Sequence, residues 1–258
     1  EERKCSAGEA VKLVKSGNRV VFAHAVAEPL VLVEALIANK EAYRNVTISH
    51  MVTLGKGEYS LPENKEHFTY EGWFTSPSTR KSLEEGHGEF VPVFFHEVPE
   101  MIRRDIFHVD VLFVTVAPPV ENGKCCIGVS ADYTMQAAKS ADVILAEVND
   151  QVPYVYGDCF IDVEEIDAFV ETSHPLFELK PSKIGPTEEA IGKNCARLIE
   201  DGATLQLGIG AIPDAVLAQL GDKKHLGIHS EMFSDGVVDL YEKGVFDCSQ
   251  KSLDRKSV

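Results

Sequence analysis

One order of elements occurs twice in this chain. In the first pass a helical run over residues 10–14 ends at Gly17, and Val20-Val21-Phe22-Ala23 reads as a buried strand; Pro29 then opens a helix over residues 30–38, and Val46-Thr47-Ile48 makes the next strand. In the second pass a helical run through Leu198-Ile199 ends at Gly202, and Leu205-Gln206-Leu207-Gly208 reads as a strand. Pro213 then opens a helix to Leu220, and Leu226-Gly227-Ile228 follows. Strands that alternate with helices need parallel sheets with helices on their faces. The fold class expected is therefore α/β, as two similar parallel-sheet α/β domains. The first spans residues 1–185, and the second starts at residue 186 and runs to residue 258. A length of 258 residues exceeds the roughly 100 to 200 of one domain.

Other segments fit the same frame. Ser6-x-x-Glu9 is a capping box ahead of the first helical run. Residues 109–116 form the best strand pattern, stopped by Pro118-Pro119, with a helix expected over residues 132–140 and a strand over 143–146. From Asp150 to Pro186 prolines and polar residues weaken the periodicity, and this stretch is expected to be a linker. The second copy stops at Val258 after two strands and a helix over residues 236–242. Two strands cannot bury their own faces, so the second copy is expected to pack either on the first domain or, with the second domain truncated, on chain missing to its C-terminal side.

Charge excludes whole classes of partner. With 41 acidic and 25 basic residues the net charge is -16, which argues against nucleic acid and against an anionic membrane surface. The chain shows no apolar run of membrane-spanning length and no secretory pattern at its start, so a cytoplasmic protein is expected. Its six cysteines include no C-x-x-C pair and read as reduced packing residues; nine histidines show no zinc-type spacing, so no metal is expected.

Chemistry concentrates in the second copy. Gly208, Ile209, Gly210, Ala211 and Ile212 form a loop from a strand end into a helix opened by Pro213. Glycine lets backbone approach a ligand, and the unpaired N–H groups of a first helical turn attract negative charge. Alone, this loop is better read as an ordinary strand-to-helix turn, since G-x-G without a third glycine is a weak signal. Glu231 changes the weighting, because it follows the next strand and emerges at the same sheet edge, among Ser230, Met232, Phe233 and Ser234. An ionised carboxylate attacks an acyl group that carries a good leaving group such as a thiolate. Neighbouring N–H groups then hold the oxyanion, each worth about 3 to 4 kcal/mol.

Five stretches together resemble the acetyl-CoA hydrolase/transferase family across essentially the whole chain. They are Phe22-Ala23-His24-x-Val26-Ala27-Glu28-Pro29, Ser49-His50-Met51-Val52-Thr53-Leu54-Gly55-Lys56-Gly57, Gly72-Trp73-Phe74-Thr75-Ser76-Pro77-Ser78-Thr79-Arg80, Leu207-Gly208-Ile209-Gly210-Ala211-Ile212-Pro213 and His229-Ser230-Glu231-Met232. The resemblance implies a CoA-transferase that exchanges coenzyme A, a substrate rather than a prosthetic group, between an acyl-CoA and a short-chain carboxylate such as acetate, butyrate or 4-hydroxybutyrate. It makes Glu231 the catalytic glutamate, passing through a covalent glutamyl-CoA thioester, and the loop from Gly208 to Ile212 the CoA-contacting oxyanion site. His24, in the matching loop of the first copy, becomes a candidate for the acyl pocket. Lys56 and Arg80 read as solvated charges or anion contacts. A homodimer is also implied. Two other readings stay open: an acyl-CoA hydrolase of the same family, in which water intercepts the acyl intermediate, and an inactive CoA-binding fragment.

Overall fold

A computed structural model describes residues 2–253. The chain divides into two compact units, Glu1–Phe177 and Glu178–Val258.

The strands of the first unit are β1 (Arg19–Phe22), β2 (Val46–His50), β3 (Phe68–Gly72), β4 (Gly88–Phe90), β5 (Val111–Val116), β6 (Lys124–Cys126), β7 (Val143–Asn149), β8 (Phe160–Asp162) and β9 (Ala168–Thr172). Its helices are α1 (Ala7–Ala10), α2 (Leu30–Ala38), α3 (Arg80–Glu84), α4 (Val98–Arg103) and α5 (Tyr133–Ser140). Seven strands form one parallel sheet in the order β4-β3-β2-β1-β5-β7-β9, and β6 pairs antiparallel with β8. The order reverses at β1, with β2 on one side of it and β5 on the other. In open parallel sheets the crevice at the carboxyl ends beside such a reversal is where ligands sit.

Strand alternation explains the two cores. All six residues of β5 are buried. Val111 and Phe113 share a cluster with Leu32, Val33 and Leu36 of α2, whereas Leu112, Val114 and Val116 share one with Val98 and Ile102 of α4 and Tyr133 of α5. Side chains two apart share a face, so a strand covered on both faces must be apolar throughout. At the N-terminus the Ser6 and Glu9 capping box forms. The helix it opens is only four residues long and continues as a 3-10 turn over Val11–Leu13.

The linker expected over residues 150–186 is corrected by β8 and β9. β9 lengthens the main sheet, pairing with β7 from Leu145↔Ala168 to Asn149↔Thr172. It buries Ala168 and Val170 while Glu171 is exposed, so it lacks the continuous apolar run that makes β5 conspicuous.

The second unit holds α6 (Pro186–Ala196), β10 (Thr204–Leu205), α7 (Ala211–Leu217), β11 (Gly227–Ile228) and α8 (Asp235–Glu242), with β10 parallel to β11. Its core gathers Val216, Leu217, Leu220, Leu226, Val237 and Phe246. The strand expected over residues 205–208 is shorter because Leu207 leaves the ladder. Both its backbone groups bond the Ser230 side chain instead. α7 stops before Leu220, where Gln219 and Leu220 close tighter turns onto Val216 and Leu217. Among the described residues no helix is long and apolar enough to cross a membrane.

Candidate active site

The glycine loop and Glu231 meet at one edge of the second unit. The loop leaves the carboxyl end of β10 and enters α7, and Glu231 lies three residues beyond β11. Ser230 ties the two segments together. Its Oγ accepts from Leu207 N at 3.1 Å and donates to Leu207 O at 2.7 Å. Leu207 precedes Gly208 and Ser230 precedes Glu231, so one hydroxyl fixes the two motifs side by side. Gly210, the residue before α7, has φ 108°, a conformation that a side chain would strain.

Among the described residues the N–H groups of Gly208, Ile209 and Gly210 find no protein acceptor. Ala211 and Ile212 begin α7, where N–H groups lack intrahelical partners. The edge therefore offers a row of unspent donors. Glu231 is exposed, as are Met232 and Phe233. The apolar surroundings expected around this carboxylate are thus present in sequence but turned to solvent within the unit. Replacing Ser230 with Ala removes both bonds to Leu207. Chemical denaturation should show a loss of about 1 to 2 kcal/mol as the loop loosens.

His24 lies at the reversal point of the first unit's sheet, in the loop after β1. The next residue, Ala25, has φ 52°, a left-handed conformation that costs an L-residue about 1 to 2 kcal/mol. Nothing in an alanine announces it. Ala25 donates to Val52 O at 2.9 Å, which holds the loop against the end of β2. The His24 ring lies 5.2 Å from the Phe95 ring and 5.7 Å from the Tyr133 ring, and its Nδ1 is 2.6 Å from Asp132 Oδ2. Tyr133 in turn donates to Phe22 O at 2.8 Å, anchoring the start of α5 to β1. In the sequence Asp132 only opens an expected helix, and nothing there ties it to His24.

The neighbouring motif residues are structural. His50 is buried, with Nε2 2.6 Å from Tyr59 Oη, and burial drives its imidazole down to about 3, so it stays neutral. Glu28 is buried too. Its Oε2 accepts from Thr53 Oγ1 at 2.6 Å, Leu54 N at 3.0 Å and Gly55 N at 2.9 Å, while burial pushes the carboxyl up. With Leu54, Gly55 and Lys56 it lines a cavity of about 300 Å³ at the ends of β1 and β2. Lys56 pairs with Glu34 at 3.1 Å, and Arg80 opens α3 as an exposed side chain.

Glu147, fully buried on β7, accepts from Val31 N at 2.9 Å and pairs with His174 Nε2 at 2.6 Å. That hydrogen bond raises His174 above its ordinary 6.5. A cation held this way stabilises the fold fully below the unfolded value, and the contribution is lost as pH rises through the folded one. His174→Gln should flatten that part of the profile, read from denaturation midpoints between about pH 6 and pH 9.

Among the described residues one cluster has the donors for a metal. His108, Asp110 and Asp142 bring ligand atoms within 4.8 Å of one another, at the amino ends of β5 and β7. His108 and Asp142 are exposed, and His108 Nδ1 is 2.6 Å from Asp105, so the group reads as a solvated ion-pair cluster on the opposite edge from His24.

Residues 1–177 match the model of the acetyl-CoA hydrolase/transferase N-terminal domain. The chain is 51% identical over 253 residues to 4-hydroxybutyrate coenzyme A transferase of Clostridium kluyveri, covering 98% of this chain and 59% of that protein. It is 40% identical over 250 residues to a succinyl-CoA:cyclohexane-1-carboxylate CoA transferase of Geobacter metallireducens, covering 97% and 57%. The crystal structure of a 4-hydroxybutyrate CoA-transferase from Porphyromonas gingivalis superposes with TM-score 0.85 at 40% identity, covering 98% of this chain and 60% of that one. The chain thus spans about three fifths of the length of these relatives. The match of the family model to the whole first unit, together with relatives similar along nearly all of this sequence, means that the chain belongs to the acetyl-CoA hydrolase/transferase family.

Proposed function

We propose that this chain carries the nucleophile and the oxyanion site of a CoA-transferase acting on an acyl-CoA and a short-chain carboxylate, with 4-hydroxybutyrate, butyrate and acetate as the acids to test first. The observation that carries the reading is the Ser230 bridge, which sets Glu231 beside a loop of unspent N–H donors. A Glu231 carboxylate oxygen attacks the thioester carbonyl and the C–S bond breaks, giving a mixed anhydride and CoA thiolate. The thiolate then attacks the glutamyl carbonyl, releasing the donor acid and leaving a glutamyl-CoA thioester. The acceptor acid runs the same steps in reverse. Each attack places negative charge on a carbonyl oxygen, which backbone N–H groups of residues 208–212 are disposed to hold.

His24 is assigned to acyl binding, since it opens at the sheet's reversal point, where ligands of such folds sit. Transfer is distinguished from hydrolysis by incubating acyl-CoA with and without a second carboxylate in a polypeptide of the relatives' full length. Transfer gives acid-dependent formation of the new acyl-CoA without net thiol release. Thiol release that ignores the added acid overturns the reading.

A further inference from the structure

The His24 and Asp132 pair is built with more order than either residue needs alone. Asp132 is the N-cap of α5, and its Oδ1 performs that duty, accepting from Thr134 N at 3.1 Å and from Thr134 Oγ1 at 3.0 Å. Its Oδ2 is surplus to the helix and lies 2.6 Å from His24 Nδ1. A carboxylate only accepts, so the proton between them belongs to Nδ1. Both side chains are mostly buried, at 16% and 18% exposure, which shields the bond from competition by water. The ring is also flanked by Phe95 and Tyr133, so it cannot turn away without giving up that packing. Nε2 makes no hydrogen bond to the described residues and is not among the buried atoms left unpaired, so it reaches solvent.

We propose that Asp132 is a positioning residue that locks His24 in the Nδ1–H form and aims Nε2, as the ring's exchangeable atom, at the acyl-bearing substrate. The proposal rests on the assignment of His24 to acyl binding given above. An unconstrained neutral histidine prefers its proton on Nε2, so the locked form is the less common one and is diagnostic. With Nδ1–H committed, a neutral ring offers Nε2 as an acceptor for a substrate hydroxyl or amide N–H. A protonated ring, its charge balanced by Asp132, offers Nε2–H to a carboxylate or carbonyl oxygen. Either way the contact is made by one atom in one fixed direction.

The rival explanation is that Asp132 only caps α5, and two variants separate the roles. Asn and Ser both cap helices well. In Asp132→Asn the side-chain oxygen stays with the cap and the amide turns its N–H toward Nδ1, which forces the proton to Nε2. In Asp132→Ser the cap survives and nothing reaches the ring. Proton-nitrogen correlation spectra of histidine-labelled protein, taken where the ring is neutral, should show Nδ1–H for His24 in the parent and Nε2–H in both variants. Melting temperatures should stay within a few degrees. An Nε2–H ring in the parent, or an Nδ1–H ring retained in Asp132→Asn, overturns the proposal. In a polypeptide of the relatives' full length, Asp132→Asn should also lower kcat/KM about tenfold. That is less than the roughly 10⁴-fold seen where a mis-set histidine is itself the general base. A tautomer that flips while kcat and KM stay unchanged leaves the lock intact and instead removes His24 from the acyl site.

Discussion

Glu231→Gln is expected to abolish the covalent CoA adduct and to lower CoA transfer by about 10³-fold or more, the scale on which loss of a nucleophile is felt. The substitution keeps the size of the side chain and removes only the charged oxygen that would form the anhydride. Because Glu231 is exposed and forms no hydrogen bond or ion pair among the described residues, its replacement should change stability by less than about 0.5 kcal/mol. Lost activity then reports chemistry rather than unfolding. After incubation with acyl-CoA, intact-mass measurement should show the parent chain heavier by one CoA, less the water lost on forming the thioester, and the variant unchanged. The loop makes a weaker, separable prediction by the same logic. Each N–H contributes one donor among several, so loosening the loop through Ser230 slows transfer without erasing the adduct. An adduct of equal yield in Glu231→Gln moves the nucleophile elsewhere.

How much of this was legible in the sequence depends on how local each signal is. β1 and β5 stood out because strands covered on both faces must be apolar at every position, and Val111 to Val116 satisfies that without a break. β3 and β4 carry Thr69, Glu71 and Glu89 within their spans, so no apolar run marked them. Glu71 is acceptable inside because Arg19, Ser49 and Trp73 all donate to it, a solution distributed over fifty residues. The site divides in the same way. Its glycine loop and its carboxylate were visible, being written in consecutive residues. The bonds that give them geometry were not, since Ser230 reaches back to Leu207 and His24 reaches forward to Asp132, and no spacing rule links residues so far apart. The left-handed Ala25 lies beyond sequence as well, since nothing in an alanine marks a positive φ.

Gly192→Ala should be the most damaging single-methyl change in the second unit. Gly192 is buried in α6 where that helix crosses α7, and a Cβ there would lie 2.4 Å from the carbonyl oxygen of Ala215, 2.7 Å from its carbon and 3.1 Å from Val216 N. All three atoms are backbone, so no rotamer relieves the clash and the helices must separate. On an exposed helix the same change would stabilise by up to about 1 kcal/mol, because alanine is the better helix former. Here overpacking against fixed backbone reverses the sign and costs about 3 kcal/mol or more. For a unit this small that corresponds to a melting temperature lower by roughly 10 to 20 °C. The consequence reaches the site, because α7 begins at Ala211 and carries the glycine loop at its head. Moving α7 pulls that loop away from the Ser230 bridge, so any folded remainder of the variant should form the CoA adduct more slowly than the parent. Calorimetry gives the stability change, and adduct formation measured well below the melting point gives the geometric one. A variant that melts with the parent means that α6 and α7 do not cross at Gly192. One that melts early but forms the adduct at the parental rate means that the loop keeps its place independently of the helix behind it.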